Sequence, residues 1–161
     1  MTQVLVIVLA ILIGVVAGLR ALTPPAMVAW GALLGWLPVE GTWAQWVGHP
    51  VTVAVLTVLL VVELITDQLP KTPSRTVPVQ FIARLLTGAF AGAVIGAGTH
   101  HTILGIGAGM IGAVLGTLGG FQARSSLVTR NGGRDLPIAV TEDAIAVLGG
   151  LAVVALASAA F

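Results

Sequence analysis

Acidic and basic side chains are concentrated in one stretch of an otherwise apolar chain, residues 61–84 (VVELITDQLPKTPSRTVPVQFIAR). Glu63 and Asp67 lie four residues apart at the end of an apolar run, so they share one face if that run is helical. Arg84 lies one turn into the next apolar run, and Lys71 lies in the proline-rich connection. A carboxylate or guanidinium inside a bilayer costs about 2.5–3.5 kcal/mol unless it faces a partner or a wet cavity. The stretch therefore predicts a polar site inside a membrane protein.

Further candidate residues lie next to other breaks in the apolar sequence. Arg20 lies near the end of the first apolar run, and Glu142 and Asp143 lie near the start of the last one. Asn131 lies in the polar loop that precedes the last run. If the helices converge, we predict one site for an ion or small solute, formed by Arg20, Glu63, Asp67, Lys71, Arg84, Asn131, Glu142 and Asp143.

The residue types predict which ions such a site would take. Glu63, Asp67 and Glu142 offer oxygen ligands, which suit a hard divalent cation such as Mg²⁺, Mn²⁺ or Ca²⁺. Carboxylates inside a membrane also act as proton relays. The chain contains no cysteine, which excludes thiol catalysis and thiolate metal sites. Adjacent His100 and His101 are interpreted as a solvated turn rather than a metal site.

Each of these charged residues also has a purely structural explanation. Glu63 is accounted for if it pairs with Arg84 or Arg20 inside the helix bundle. Glu142 and Asp143 follow Thr141 at an expected helix start, where carboxylates meet the positive end of the helix dipole. The sequence leaves the functional and the structural explanations open.

The composition indicates an integral membrane protein. The 161 residues are 57% hydrophobic and 8% charged, whereas a soluble domain is about 25% charged. The mean hydropathy is +1.08. A soluble domain needs about 50 residues, and no polar stretch approaches that length. Residues 1–161 are therefore predicted to form a single all-α, multi-pass transmembrane domain.

Five apolar runs are predicted to be full membrane-spanning helices, at residues 3–22, 51–67, 80–97, 102–121 and 138–160. Residues 26–37 are apolar but too short to span without their flanks, and we predict a re-entrant half-helix or a short sixth span. Thr23-Pro24-Pro25 breaks the chain before this segment, with Thr23 placed as its cap. A helix beginning there would direct its N-terminal N–H groups at the polar site, where an anionic group or Glu63 itself would bind them.

Basic residues predict which loops share one side of the membrane. Lysine and arginine occur in loops 68–79 and 122–137 and are absent from loops 38–50 and 98–101. By the positive-inside rule the first two loops are cytoplasmic. If residues 26–37 are re-entrant, the N-terminus is cytoplasmic too. If they span the membrane, Arg20 joins the basic loops and both termini lie outside.

Small residues predict close helix packing. Gly88, Gly92 and Gly96 are spaced by four, and similar ridges follow in residues 105–120. Such ridges let helix backbones approach closely in a bilayer, within one chain or across a homo-oligomeric interface, and packing within one chain is the favoured interpretation. A weak internal repeat also aligns residues 14–31 with 116–133, which makes residues 124–126 a second break equivalent to residues 23–25.

The chain resembles a known family through four motifs: AGLRALTPP, ELITDQLPKTPSR, FIARLLTGAFAGA and TEDAIAV. These resemble the uncharacterised bacterial membrane family called domain of unknown function 4126, over essentially the whole chain. The family's charged pattern corresponds here to Glu63, Asp67, Lys71, Pro73, Arg84, Glu142 and Asp143. The chain departs from it at Gln68, where a lysine is usual, and at Leu85, where a proline is usual. The resemblance implies a bacterial inner (cytoplasmic) membrane protein with a common site, and it implies no substrate.

Three function classes are consistent with the sequence. A small transporter or channel with a carboxylate-rich site is favoured over the other two. The second is a lipid-phosphate-handling protein or enzyme, whose phosphate would contact Lys71, Arg75, Arg124, Arg130 and Arg134. The third is a packing or assembly factor in which the charges only pair. No hydrolase, metalloprotease, P-loop or dinucleotide motif occurs, which makes an enzyme the less favoured class. The expected partners are membrane lipid and the ion or solute, with a second copy of the chain as the less favoured alternative and no nucleic acid.

Overall fold

The computed structural model describes residues 2–67 and 76–161 and is all-α within those ranges. Six α-helices follow one another as α1 (Gln3–Leu19), α2 (Thr23–Leu33), α3 (Pro50–Thr66), α4 (Pro78–Ala97), α5 (Thr102–Arg130) and α6 (Leu136–Ala160). A short 3₁₀ helix, Gln45–Gly48, lies between α2 and α3. The predicted all-α architecture is confirmed. The predicted residues Lys71 and Arg75 lie outside the described residues, as do Gln68 and Pro73.

Three of the described helices, α4, α5 and α6, are long and apolar enough to cross a membrane. The helices α1 and α3 are apolar but have 17 residues each, which corresponds to roughly 26 Å against a hydrocarbon thickness of about 30 Å. The prediction of five full spans is therefore wrong in number. The helix α1 ends three residues before the predicted end, because Arg20 has an extended backbone, and α3 ends at Thr66, one residue before the predicted end.

The longest helix, α5, packs along both α1 and α4 through glycine. A Cβ atom placed on Gly109 would lie 2.1 Å from the carbonyl oxygen of Gly88 on α4. One placed on Gly112 would lie 2.1 Å from the carbonyl oxygen of Ile11 on α1. No side chain fits at such distances, so these glycines let the backbones touch. The spacing of the glycines thus serves packing within one chain.

The predicted second break in the chain is absent from the structure. The helix α5 continues unbroken from Thr102 to Arg130 and includes residues 124–126, which the internal repeat pairs with residues 23–25. The helix α6 also begins early, at Leu136. Glu142 and Asp143 are therefore its seventh and eighth residues, and the expectation that they lie at the helix start is wrong. Arg124 of α5 donates to Asp135, at the N-terminus of α6, and to Glu142 of α6. These contacts hold the polar ends of the two helices together, which explains why both helices extend into the predicted loop.

The bundle has two chemically distinct ends. The basic end contains Arg20, Arg124, Arg130 and Arg134, and the aromatic end contains residues 38–50 and 98–101. Trp43 of the aromatic end packs edge-on against Phe90, with ring centroids 6.5 Å apart, and donates to Thr102 at 3.3 Å. The helices α1 and α5 run parallel, since Gly14 of α1 contacts Gly109 and Gly18 contacts Thr117. The N-terminus therefore lies at the aromatic end, as does the C-terminus of α6.

The short helix α2 runs from the basic end towards the aromatic end, parallel to α6. A Cβ atom on Gly150 of α6 would contact Met27, and one on Gly31 would contact Val154, one turn further along α6. Leu37 is buried beyond the end of α2 and continues the path to the aromatic end. The chain thus does not turn back to the end at which α2 begins, and this path matches the short span, the alternative that the sequence offers to a re-entrant helix. The arrangement matches the alternative in which both termini lie opposite the basic loops.

Candidate functional site

The chain is not helical between α1 and α2. Arg20 has an extended backbone, with φ −138° and ψ 119°. The helix α2 then begins at Thr23, with Pro24 and Pro25 in its first turn, where the missing N–H group of proline removes no helical hydrogen bond. The break therefore lies at residues 20–22 and not at residues 23–25 as predicted. Leu22 is the N-cap and provides no side-chain cap, so the N–H groups at the break need partners from elsewhere.

Glu63 of α3 supplies these partners. Its Oε1 accepts the main-chain N–H of Ala21 at 2.7 Å, and its Oε2 accepts the N–H of Leu22 at 2.8 Å. The side chain is buried. A carboxylate at the N-terminus of a helix is stabilised both by the charge-assisted hydrogen bonds and by the helix dipole. The structure thus places Glu63 against the start of α2.

Arg84 of α4 binds the other side of the break. Its Nη1 lies 3.0 Å from the carbonyl oxygen of Leu19, 3.3 Å from that of Gly18 and 3.5 Å from that of Ala17. These are the terminal carbonyls of α1, where a cation is favoured by the helix dipole. The Nη2 of Arg84 also lies 4.0 Å from Asp67 Oδ2. The guanidinium is buried and faces the interior of the bundle, as the sequence predicts.

Arg20 joins α3 to α6 across the break. Its Nε donates to Asp143 Oδ1, and its Nη1 donates to Asp67 Oδ2. Arg20 is only 1% exposed, so this double ion pair lies in the protein interior. Together with Glu63 and Arg84 these three residues form what we call the break cluster, namely Arg20, Glu63, Asp67, Arg84 and Asp143.

A second ionic group lies beside the break cluster. Arg124 of α5 makes a bidentate pair with Asp135, at 2.9 Å from Nε to Oδ1 and 2.7 Å from Nη2 to Oδ2. Its Nη1 donates to Glu142 Oε2 at 3.2 Å. Glu142 and Asp143 are consecutive on a helix and point about 100° apart, so they bind different arginines. The predicted site is therefore divided. Asp143 belongs to the break cluster, and Glu142 belongs to the second group, Arg124, Asp135 and Glu142, which we call the Arg124 group.

The remaining sequence predictions fall outside both groups or were incomplete. Asn131 is exposed in the turn after α5, where its Nδ2 donates to the main-chain oxygen of Arg134 at 3.3 Å. The sequence did not predict that Arg124 and Asp135 pair. The signal that would have found the pair is an arginine beyond an apolar helical run, eleven residues from the next acidic residue and near a Glu-Asp pair.

The three predicted metal ligands do not gather into one ligand set. Glu63 accepts main-chain N–H groups, Asp67 accepts Arg20, and Glu142 accepts Arg124. Within the described residues no group of three or more histidine, aspartate or glutamate side chains is placed to hold a metal ion. The break cluster contains the carboxylates of Glu63, Asp67 and Asp143 and the guanidiniums of Arg20 and Arg84.

Comparison with known proteins identifies the family. No curated protein and no solved structure matches the chain. The family described as "Domain of unknown function (DUF4126)" matches residues 7–161, a range that includes every residue of the break cluster and of the Arg124 group. The match confirms the family resemblance indicated by the motifs, and the chain belongs to the DUF4126 family.

Proposed function

We propose that the chain is a small, multi-pass transporter or channel of the bacterial inner membrane that moves an ion or small solute, and that the break cluster is its ion site. The observation that carries this proposal is the turn between the antiparallel helices α1 and α2, whose free backbone groups are bound by Glu63 and Arg84.

The turn between α1 and α2 brings together two oppositely charged helix ends, the C-terminus of α1 and the N-terminus of α2. In secondary transporters, the ends of discontinuous helices bind substrate and coupling ions, because N-termini attract anionic groups and unwound carbonyls attract cations. Here Glu63 occupies the N-terminal end of α2 and Arg84 occupies the C-terminal end of α1. Side chains therefore occupy both helix ends, which is the arrangement expected of a closed site. The site would open when these side chains move.

The buried carboxylate of Glu63 supports a proton or a cation as the ion. Carboxylates inside a membrane act as proton relays and line ion pathways. A divalent cation would need ligands beyond those assembled in this conformation, so we favour the proton as the coupling ion.

The alternative function is a packing or assembly factor, in which the same contacts only stabilise the fold. A purely structural network also satisfies the carboxylates, and it requires no ion movement. The two functions are distinguished by flux, because a structural network predicts a stable protein that transports nothing.

The test is ion flux in liposomes that contain the purified protein and an internal pH-sensitive dye. A membrane potential set with potassium and valinomycin drives protons, and external Na⁺, Mg²⁺, Ca²⁺ or Mn²⁺ tests for coupled exchange. We expect proton flux above that of empty liposomes, and at least a tenfold lower rate in Glu63→Gln, which keeps the size of the side chain but removes its charge. Glu40→Gln is the matched control, since Glu40 is an exposed carboxylate at the aromatic end.

Two results would contradict the proposal. The first is flux no greater than that of empty liposomes under every ion gradient. The second is equal flux in the wild type, Glu63→Gln and Glu40→Gln, with all three proteins folded, because the ion would then not pass through the break cluster.

A further inference from the structure

An open groove lies between α5 and α6 at the basic end, and Leu19 at the end of α1 also lines it. It encloses a cavity of about 150 Å³. Its walls include Gly120, Ala123 and Leu127 of α5 and Ile145 of α6, and Arg124 and Glu142 line it between these apolar residues. The groove is therefore apolar apart from the Arg124–Glu142 pair.

The groove exists because α5 and α6 pack against other helices more than against each other. The helix α5 packs on α1 and α4 through its glycines, whereas α6 packs on α1 and α2, and direct contact between α5 and α6 is sparse. The flanking side chains of Leu127 and Ile145 are 47% and 58% exposed. Both helices are candidate membrane spans, so in a membrane this groove opens sideways to lipid.

The charges beside the groove favour an anionic occupant. Arg130 lies about one turn beyond Leu127 on α5, and Arg134 follows in the turn to α6. Both are exposed, and within the described residues neither forms an ion pair with an acidic side chain. The acids of this end, Asp135 and Glu142, are paired with Arg124. The basic end therefore offers two arginines to a phosphate next to an apolar groove.

We propose that the groove binds one acyl chain of an anionic phospholipid, with its phosphate held by Arg130 and Arg134. A dry apolar cavity of about 150 Å³ accommodates a benzene-sized group. It therefore takes a segment of roughly six carbons, and the rest of the chain lies in the bilayer. This inference rests on the membrane placement in the proposed function but not on transport.

Native mass spectrometry of the purified protein, titrated with phosphatidylglycerol or phosphatidylcholine in detergent, tests the proposal. We expect one phosphatidylglycerol to bind at least tenfold more tightly than phosphatidylcholine. Gly120→Leu fills the groove and should weaken this binding at least tenfold. Gly119→Leu is the matched control and should bind as the wild type does, because a Cβ atom on Gly119 meets nothing within 4 Å. In the double variant with Arg130→Gln and Arg134→Gln, phosphatidylglycerol and phosphatidylcholine should bind about equally tightly.

A second measurement on the wild type avoids any dependence on the folding of the variants. Phosphatidylglycerol with a photoreactive acyl chain should crosslink mainly to residues 120–127 and 138–145. Crosslinks spread evenly over the exposed apolar surface would overturn the proposal, as would equal binding of the two lipids or unchanged binding in a folded Gly120→Leu protein. Lipid binding without ion flux would contradict only the transport function, and ion flux without selective lipid binding would contradict only the groove.

Discussion

The carboxylate of Glu63 accepts the main-chain N–H of Ala21 at 2.7 Å, although the two residues are 42 positions apart in the chain. The turn between α1 and α2 is thus held by α3 and not by its own sequence. Movement of α3 would release the N–H groups at the start of α2, which couples the position of one helix to the state of the break.

Removing the Glu63 carboxylate should destabilise the protein. Glu63→Ala leaves the N–H groups of Ala21 and Leu22 buried without acceptors, and we expect it to lower the free energy of unfolding by about 3 kcal/mol. Glu63→Gln keeps one acceptor oxygen and should lose less. Chemical unfolding in detergent measures both changes, with Glu40→Ala as the exposed control. If Glu63→Ala unfolds at the same denaturant concentration as the control, Glu63 does not stabilise the break.

Arg20 should be energetically coupled to its two aspartates. Arg20→Met removes the arginine with which both Asp67 and Asp143 pair, and we expect a loss of about 3–5 kcal/mol. Combining Arg20→Met with Asp67→Asn and Asp143→Asn should recover more than half of that loss. The corresponding change at exposed Arg130, Arg130→Met, should alter stability by less than about 0.5 kcal/mol. Additive effects of the three substitutions would show that the ion pairs are not coupled.

Glycines of α5 should differ in their response to alanine according to what they face. Gly109→Ala places a methyl group against the carbonyl oxygen of Gly88 and should lower the melting temperature substantially, because it separates α4 from α5. Gly107→Ala lies on the same helix with open space around it. That change should be neutral or stabilise by up to about 1 kcal/mol, since alanine is the better helix former. Thermal unfolding in detergent compares them, and similar melting temperatures would rule out tight packing at Gly109.

Both termini should lie on the side opposite the basic loops. The chain contains no cysteine, so single-cysteine variants report sidedness directly. We expect Thr2→Cys and Glu40→Cys to react with a membrane-impermeant maleimide from one side of the membrane, and Asn131→Cys to react from the other. If Thr2→Cys and Asn131→Cys reacted from the same side of the membrane, residues 26–37 would instead form a re-entrant segment.

Sequence patterns alone identified the all-α architecture and the approximate position of every described helix. These features depend on neighbours along the chain, because apolar run length and proline positions determine where a helix can form. The start of α5 at Thr102 and the ends of α4 and α6 agree with the prediction for this reason. Two helix ends near the site were misplaced, that of α1 at Arg20 and that of α5 after Phe121. At both places charged side chains of other helices contact the chain, and they bind the backbone near Arg20 and favour a longer helix after Phe121.

The partners of the charged residues were decided only by the tertiary structure. The sequence indicated that Glu63 binds an arginine or the start of a helix, and the packing of α3 against α2 selected the helix start. Adjacent Glu142 and Asp143 were expected to act together, but the rotation of α6 against its neighbours sends them to Arg124 and Arg20. Composition and spacing specify that buried charges require partners, whereas the identity of each partner depends on how the helices cross and rotate, which is set by contacts between residues far apart in the chain.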